Sequence, residues 1–324
     1  MLTRSDEVSG KNERKAMLVR IGTRRSPLAR WQADWVANEL RSRNVEVELV
    51  PLATEGDRNL QGAADALGTV GIFTREIQRA LLEQRVDLAV HSLKDLPTDQ
   101  TPGICLAAIP LRGPCEDVLV TTDHRSLADL ATQSRIGTGS LRRKSQILHL
   151  RKDLQIVPIR GYVETRLKKL EGGEYDAIVL ARAGLVRLGL EQHIQQVFTT
   201  AEMLPAVGQA ALGIETRLAD SELQSCLEQI NHRVTQRAVL AERTLLSRLS
   251  GGCLAPVGAW AREVEADLLQ LDAVVLDPLG KRRLFHSERE SLDQAEKLGT
   301  VVANRLLAAG AATLIAAARE SKHA

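Results

Sequence analysis

The sequence predicts an α/β protein of two lobes with parallel-rich sheets, followed by a small α+β domain. Three observations carry that expectation. Short apolar runs alternate with amphipathic helical stretches from Leu18 to Val90 and again from Asp117 to Leu180, the order that builds parallel sheets. A breaker-rich stretch, Thr98 to Pro114, separates the two alternations with Pro102, Gly103, Pro110, Gly113 and Pro114. From Arg233 the pattern changes to one helix, three strand-like runs and a closing helix. At 324 residues the chain is long enough for two or three such domains.

Taken in order, residues 1–16 are polar, carry Asp6, Glu7 and Glu13, and lack an apolar signal core, so they are expected to be a disordered extension. The first lobe spans 17–110 and takes back 211–228. Leu18 to Ile21 begins a strand, and Ser26 with Pro27 reads as the N-cap and first position of a helix. Leu28, Trp31, Trp35 and Leu40 mark one face of that helix. Val45, Val47 and Leu49 alternate as a strand, a glycine-rich loop runs from Gly56 to Gly71, and a helix from about Phe73 leads into a strand at Asp87–Val90. The second lobe spans 116–204. Its strands are expected at Asp117–Thr121, Arg135–Gly137, Ile156–Ile159 and Asp176–Leu180. Its helices open at Ser140 and near Val163, the latter stopped by Gly172-Gly173. Thr199 to Gly213 reads as a second crossing between lobes. In the third domain, 233–324, a helix through Val234 and Leu245 ends at Ser250-Gly251-Gly252-Cys253. Strands at Val257–Ala261, Leu268–Leu276 and Arg283–Ser287 precede a helix from Leu292 to Ala308 and on to Glu320.

Composition narrows the function. Hydrophobic residues at 44% and charged residues at 26% are those of an ordinary globular chain. Aromatics at 2% argue against stacking platforms for single-stranded nucleic acid, and a net charge of +2 gives no general pull on polyanions. An anion site must therefore come from local clustering. Cys105, Cys115, Cys226 and Cys253 show no zinc spacing and read as a reduced set, which makes the cytoplasm the expected compartment. No apolar run approaches the roughly 18 residues of a membrane span.

Local clusters exist, and they recur at strand-to-helix turns. Asp87-Leu88-Ala89-Val90-His91-Ser92-Leu93-Lys94-Asp95-Leu96-Pro97 is a buried strand ending in polar residues, the place where open α/β sheets bind ligands. An ordinary loop ion pair is the plainer reading of Lys94 and Asp95. Gly137-Thr138-Gly139-Ser140-Leu141-Arg142-Arg143-Lys144 puts two planar guanidinium forks at a helix N-terminus, suited to carboxylates. Arg160-Gly161 with Arg166, and Arg24 with Ser26, occupy comparable turns. A lone arginine is usually a solvated cation; recurrence makes the set a site. Cys253 stands on a glycine loop that favours access, against the plainer reading of a small buried residue. His91 has no visible catalytic partner and reads as a loop or core residue.

Taken together, these pieces resemble the porphobilinogen deaminase (hydroxymethylbilane synthase) family. The matching stretches are Thr23-Arg24-Arg25-Ser26-Pro27-Leu28-Ala29, His91 to Pro97, Gly137 to Arg143, Arg160-Gly161 with Thr165-Arg166, Glu174-Tyr175-Asp176-Ala177-Ile178, Leu204-Pro205-Ala206-Val207-Gly208-Gln209, and Gly251-Gly252-Cys253. The resemblance implies two periplasmic-binding-protein-like lobes and a third domain carrying a cofactor cysteine. It implies a dipyrromethane held through a thioether by Cys253, with Asp95 as the central carboxylate that stabilises the cationic azafulvene left when ammonia departs. Lys94, Asp95, Ser140, Arg142 and Arg143 would bind the cofactor. Arg24, Ser26, Arg160 and Arg166, assisted by Arg187, would hold porphobilinogen and the growing chain. Four porphobilinogens would be joined into linear hydroxymethylbilane by a monomer, with no metal, nucleic acid or membrane partner.

The sequence departs from the family pattern at Ala66 and Val70, where lysines are common, and at Gly139 (serine), Tyr162 (asparagine) and Ala210 (glycine). Two alternatives stay open: a divergent paralogue that assembles the cofactor but elongates poorly, and a non-catalytic two-lobed anion-binding protein.

Overall fold

The computed structural model describes residues 17–52, 72–249 and 255–320. The expectations for residues 1–16, for the Gly56–Gly71 loop with Ala66 and Val70, and for the setting of Cys253 lie outside the described residues.

In the first lobe, β1 (Leu18–Thr23) runs into α1 (Pro27–Arg41) through the expected cap: Ser26 Oγ accepts from the Ala29 amide at 3.2 Å, and Pro27 sits in the first turn. The buried face of α1 is only partly the one expected, since Leu40 and half-buried Trp35 pack on the core. Ala33, Val36, Ala37 and Leu40 pack on Val19 and Ile21, while Leu28 and Trp31 point toward the opposite lobe. Small side chains let helix and sheet approach, so the large residues marked the inter-lobe face instead. β2 (Glu46–Pro51), α2 (Ile72–Leu82), β3 (Leu88–Ser92) and β4 (Ile104–Ala108) follow. β4 lies within the breaker stretch and was not expected.

The second lobe contains β5 (Asp117–Val120), β6 (Arg135–Gly137), α3 (Leu141–Leu150), β7 (Gln155–Val157), α4 (Val163–Glu171), β8 (Ala177–Ala181), α5 (Arg182–Arg187) and β9 (Gln196–Val197). The chain then returns: β10 (Leu212–Arg217) inserts into the first sheet, and α6 (Ser221–Glu228) packs beside it. Among the described residues the first sheet has the order β2-β1-β3-β10-β4 and the second β7-β6-β8-β5-β9. In each, the first three strands are parallel, and the fourth is an antiparallel strand that has just crossed from the other lobe. Two sheets of one pattern thus exchange a strand, and the crossings, 109–116 and 198–211, lie side by side.

The third domain opens with α7 (Arg233–Arg248), which packs with α8 (Ala295–Ala308) and α9 (Ala311–Glu320) on the antiparallel sheet β11 (Val257–Glu265), β12 (Leu268–Leu276), β13 (Arg283–Ser291). The closing helix is broken rather than continuous, with a 78° bend where Gly310 adopts φ +98°. Among the described residues no single helix is long and apolar enough to cross a membrane, and this bent pair buries Leu298, Val302, Leu306 and Leu314 in the domain core.

One buried carboxylate joins the third domain to both crossings. Glu242 of α7, fully buried, accepts from Arg112 Nη1 at 2.6 Å in the first crossing, from the Gly208 amide at 2.7 Å in the second, and from the Ala261 amide of β11 at 2.9 Å. Arg112 Nε also donates to the Gln209 carbonyl at 2.7 Å. With a further bond from Arg112 Nη2 at 3.3 Å, each Glu242 oxygen accepts twice, the condition under which a buried ion pair holds.

Candidate active site

The two sheets face each other across a cleft of about 350 Å³, within the size range of small-molecule sites. Its first wall is built from strand ends. Arg24 and Ser26 come from the β1–α1 turn. Lys94 and Asp95 come from the single 3-10 turn that terminates β3, held by a bond from the Leu96 amide to the Leu93 carbonyl at 3.1 Å. Leu93 fills the space beneath that turn, and its backbone and side chain approach Gly208 so closely (3.3 Å to an added Cβ) that only glycine fits there at φ +69°. Gln32 Nε2 of α1 donates to Ser92 Oγ at 2.7 Å, fixing the strand end from the other side.

The second wall carries Arg143 from α3, Gly161 and Tyr162 from the β7–α4 turn, Arg166 from α4 and Arg187 from α5. Three expected site residues are set back from this wall as the described residues form it. Ser140 caps α3, its Oγ accepting from the Arg143 amide at 3.4 Å. Arg142 is buried and donates through Nη1 to Asp117 Oδ2 at 2.6 Å and to the Leu204 carbonyl at 2.7 Å. Arg160 is exposed beside the wall rather than on it. The structure thus gives Ser140 and Arg142 anchoring bonds inside the lobe; the cap at Ser140 accords with a helix opening there, whereas the pairing of Arg142 with Asp117 is a use the sequence did not suggest. Cys253 lies outside the described residues.

Asp117 is the residue that sequence reasoning missed. It is fully buried at the start of β5 and accepts from Arg142, from Arg143 Nε and Nη2 at 3.0 and 2.8 Å, and from Gln209 Nε2 at 3.0 Å. Burial alone would push its carboxyl up, but the two guanidiniums and the hydrogen bonds hold it well below the usual carboxylate range. Arg143 also donates to the Val179 carbonyl at 2.9 Å, so its position is fixed before any ligand arrives. Two guanidiniums share one carboxylate, and a positive surplus remains.

That surplus is felt across the cleft. Burial and then repulsion from Arg143 push Lys94 down to about 8, against the opposing attraction of Asp95 and Asp117. Burial and Arg143 likewise push Arg166 down to about 10, although Asp95 attracts it. Burial pushes Arg187 to about 10. Its guanidinium donates to the Ala210 carbonyl at 2.6 Å and stacks 5.5 Å from the Trp31 ring, tying the second lobe to the first. Asp95 stands exposed among these cations, while Arg166 Nε donates to the Gly161 carbonyl at 2.9 Å.

The departures also find physical settings. A Cβ at Gly139 would meet the Ile159 carbonyl at 3.3 Å, so the neighbouring backbone crowds that position. Tyr162 occupies the N-cap of α4 without a side-chain capping bond and lines the cleft. Ala210 carries φ +69°, a left-handed conformation that costs a non-glycine residue roughly 1–2 kcal/mol. His91 is buried with Nε2 3.1 Å from Glu215 Oε2, on the cleft's inner margin. Among the described residues no three His, Cys, Asp or Glu side chains gather as a metal-ligand group.

Comparison with known proteins places this geometry. Residues 19–225 match the family model described as porphobilinogen deaminase, dipyrromethane cofactor binding domain, and residues 236–308 match that of the porphobilinogen deaminase C-terminal domain. The chain is 46% identical over 301 residues to the porphobilinogen deaminase of Desulforudis audaxviator (strain MP104C), covering 92% of this chain and 97% of that protein. Among solved structures, the methionine binding protein MetQ is matched at TM-score 0.43 and 14% identity, covering 66% of this chain and 88% of that one. An arginine-specific periplasmic binding protein of Salmonella typhimurium is matched at TM-score 0.36 and 14% identity, covering 68% and 94%. Likenesses at that level carry no argument of their own.

Proposed function

The chain belongs to the porphobilinogen deaminase family, and from that premise we propose how its cleft performs hydroxymethylbilane synthesis, the stepwise deaminative condensation of porphobilinogen in tetrapyrrole formation. The enzyme is a transferase, and dipyrromethane is its cofactor. The cleft suits that group: a dipyrromethane brings carboxylates and pyrrole N–H donors, and the described walls offer a cationic surplus around one exposed carboxylate. When bound, it supplies the pyrrole terminus to which the first substrate is joined.

The observation that carries the reading is Asp95 on its 3-10 turn, facing Arg143 and Arg166 from the other lobe. Each porphobilinogen brings two carboxylates and loses ammonia, leaving a cationic carbon next to fixed cations. Arg143 and Lys94 bind carboxylates of the cofactor; Arg24, Arg166 and Arg187 bind those of the substrate and lengthening chain. Ser26 and Ser140 act by capping α1 and α3, and Arg142 by holding Asp117. Arg160 engages the chain at the cleft's edge. Asp95 accepts from pyrrole N–H groups and places its negative charge where the cation develops. Cys253 is the thioether attachment point. The enzyme acts as a monomer in the cytoplasm; free Cys105, Cys115 and Cys226 suit a reducing compartment.

Intact mass tests this. Protein made in a cell that produces porphobilinogen carries a dipyrromethane increment that Cys253→Ser lacks. Added porphobilinogen then gives stepwise further increments. Stalling after the first ones would favour a poorly elongating paralogue, for which Tyr162 in the cleft wall is the structural reason. No increment in folded protein would leave a two-lobed anion-binding protein.

A further inference from the structure

A second cavity, of about 540 Å³, lies apart from the cleft, between the first lobe and α7 of the third domain. That volume is typical of small-ligand sites. Its floor is apolar, formed by Leu96, Leu106 and Ile109 from the first lobe and by Val239 and Leu240 from α7. Arg237, Arg243 and Arg248 project from the same helix face, with Asp99 and Glu215 opposite.

These charges are not equally engaged. Glu215 accepts from Gln78 Nε2 at 3.0 and 3.1 Å and sits beside His91. Arg243 donates to the Leu96 and Pro97 carbonyls at 3.2 and 2.6 Å. Arg237 Nε, by contrast, is buried with no hydrogen-bond partner among the described residues, a costly state for a charged donor, and Arg248 is exposed. An unmatched Nε–H of half-buried Arg237 therefore stands beside an apolar floor.

We propose that this cavity binds a small amphipathic organic anion, a carboxylate or similar oxyanion on an apolar body, and that its occupancy lowers turnover in the neighbouring cleft. The oxyanion takes Arg237, and the apolar body lies on Leu240 and Ile109. Two physical links reach the cleft. Leu96 and Pro97 line this cavity, are strapped by Arg243 and directly follow Asp95, so an apolar body seated on the floor presses on the turn carrying that carboxylate. Glu215 lines this cavity while its neighbour His91 lines the cleft, so the two spaces share a wall. Helix α7 also leads directly into the glycine segment of Cys253.

The test uses the cofactor-loaded enzyme and 8-anilinonaphthalene-1-sulfonate as the probe, with uncharged N-phenyl-1-naphthylamine and inorganic sulfate as controls. One saturable equivalent binds per chain, about tenfold or more tighter than either control, as expected when a charge-assisted bond and an apolar body act together. Saturating porphobilinogen does not displace it, and occupancy lowers kcat severalfold with KM unchanged. Arg237→Gln weakens the probe about tenfold, the scale of one lost charged hydrogen bond. Leu240→Trp, which fills the cavity, abolishes binding; each variant keeps basal turnover and the wild-type melting midpoint. Displacement by porphobilinogen, equal binding in both folded variants, or full occupancy with unchanged kcat would each overturn the proposal. Should Arg237→Gln fold poorly, Leu240→Trp alone decides.

Discussion

The two lobes share a strand order yet use their charged residues in opposite ways. In the second lobe, Arg142 and Arg143 are pinned to fully buried Asp117 and to backbone carbonyls before any ligand binds. In the first, Asp95 stands exposed at the end of β3, with structural order supplied by its backbone turn rather than by side-chain bonds. One lobe thus provides a rigid cationic wall, and the other presents an exposed carboxylate to the same cleft. A site that must receive successive carboxylate-bearing rings needs this division: fixed charge for recognition, and an uncommitted acceptor for chemistry.

If that contrast is right, the largest effect comes from the hidden carboxylate. Asp117→Asn leaves two buried guanidiniums facing each other and is expected to cost about 3–5 kcal/mol of stability, read from chemical unfolding. The pH dependence has a definite sign. The Asp117 carboxyl is lowered in the folded state, so its contribution is present above the ordinary carboxylate range and is lost as pH falls below about 4. An Asp117→Asn protein as stable as the parent would erase the distinction between the lobes.

Asp95→Asn is the complementary break. It is expected to lower turnover about 10²–10³-fold while the unfolding midpoint stays put, since the side chain is exposed. Substantial destabilisation would mean that Asp95 is structural as well.

Lys94 sharpens the comparison from between. Its ammonium is pushed down to about 8, so anion binding should weaken as pH rises through that value. Between about 8 and its ordinary value the unfolded chain binds the extra proton, so this group's contribution to stability rises with pH there while ligand binding declines. Near pH 8.5 a polyanionic ligand should therefore bind with proton uptake. Calorimetry in buffers of different ionisation enthalpy measures that uptake, and Lys94→Gln should remove it.

The smallest effect lies at the crossing. Ala210→Gly relieves a left-handed φ but frees the unfolded chain, and the balance should favour the variant by about 0.5–1 kcal/mol. No gain in melting temperature would show that Ala210 is held without strain.

Much of this architecture was legible because it is local. Ser26 and Ser140 cap their helices as their sequences suggested, and Gly172 ends α4. Turn residues Arg24, Lys94, Asp95, Arg143 and Arg166 come together because strand ends converge on a cleft. What stayed hidden depends on distant partners. Asp117 looks like the polar start of an apolar strand, and its guanidiniums arrive only when β5 is inserted beside β8. Glu242 reads as one more polar residue on an amphipathic helix until both crossings close over it. β4 was concealed by flanking breakers, and its ladder partner β10 lies beyond the whole second lobe. Trp31 misled for a simpler reason: periodicity finds an apolar stripe but does not say which neighbour it faces.

The strand exchange has a consequence for how the molecule is made. A chain leaving the ribosome reaches β4 with no ladder neighbour, since β4 pairs with β10. Its unpaired edge must wait through synthesis of the second lobe until Arg217 has emerged, while the second lobe already holds every strand of its own sheet by Val197. Vectorial synthesis therefore reverses the order of assembly: the lobe begun second is the first able to close, and the lobe begun first relies on nascent-chain protection of an open sheet edge.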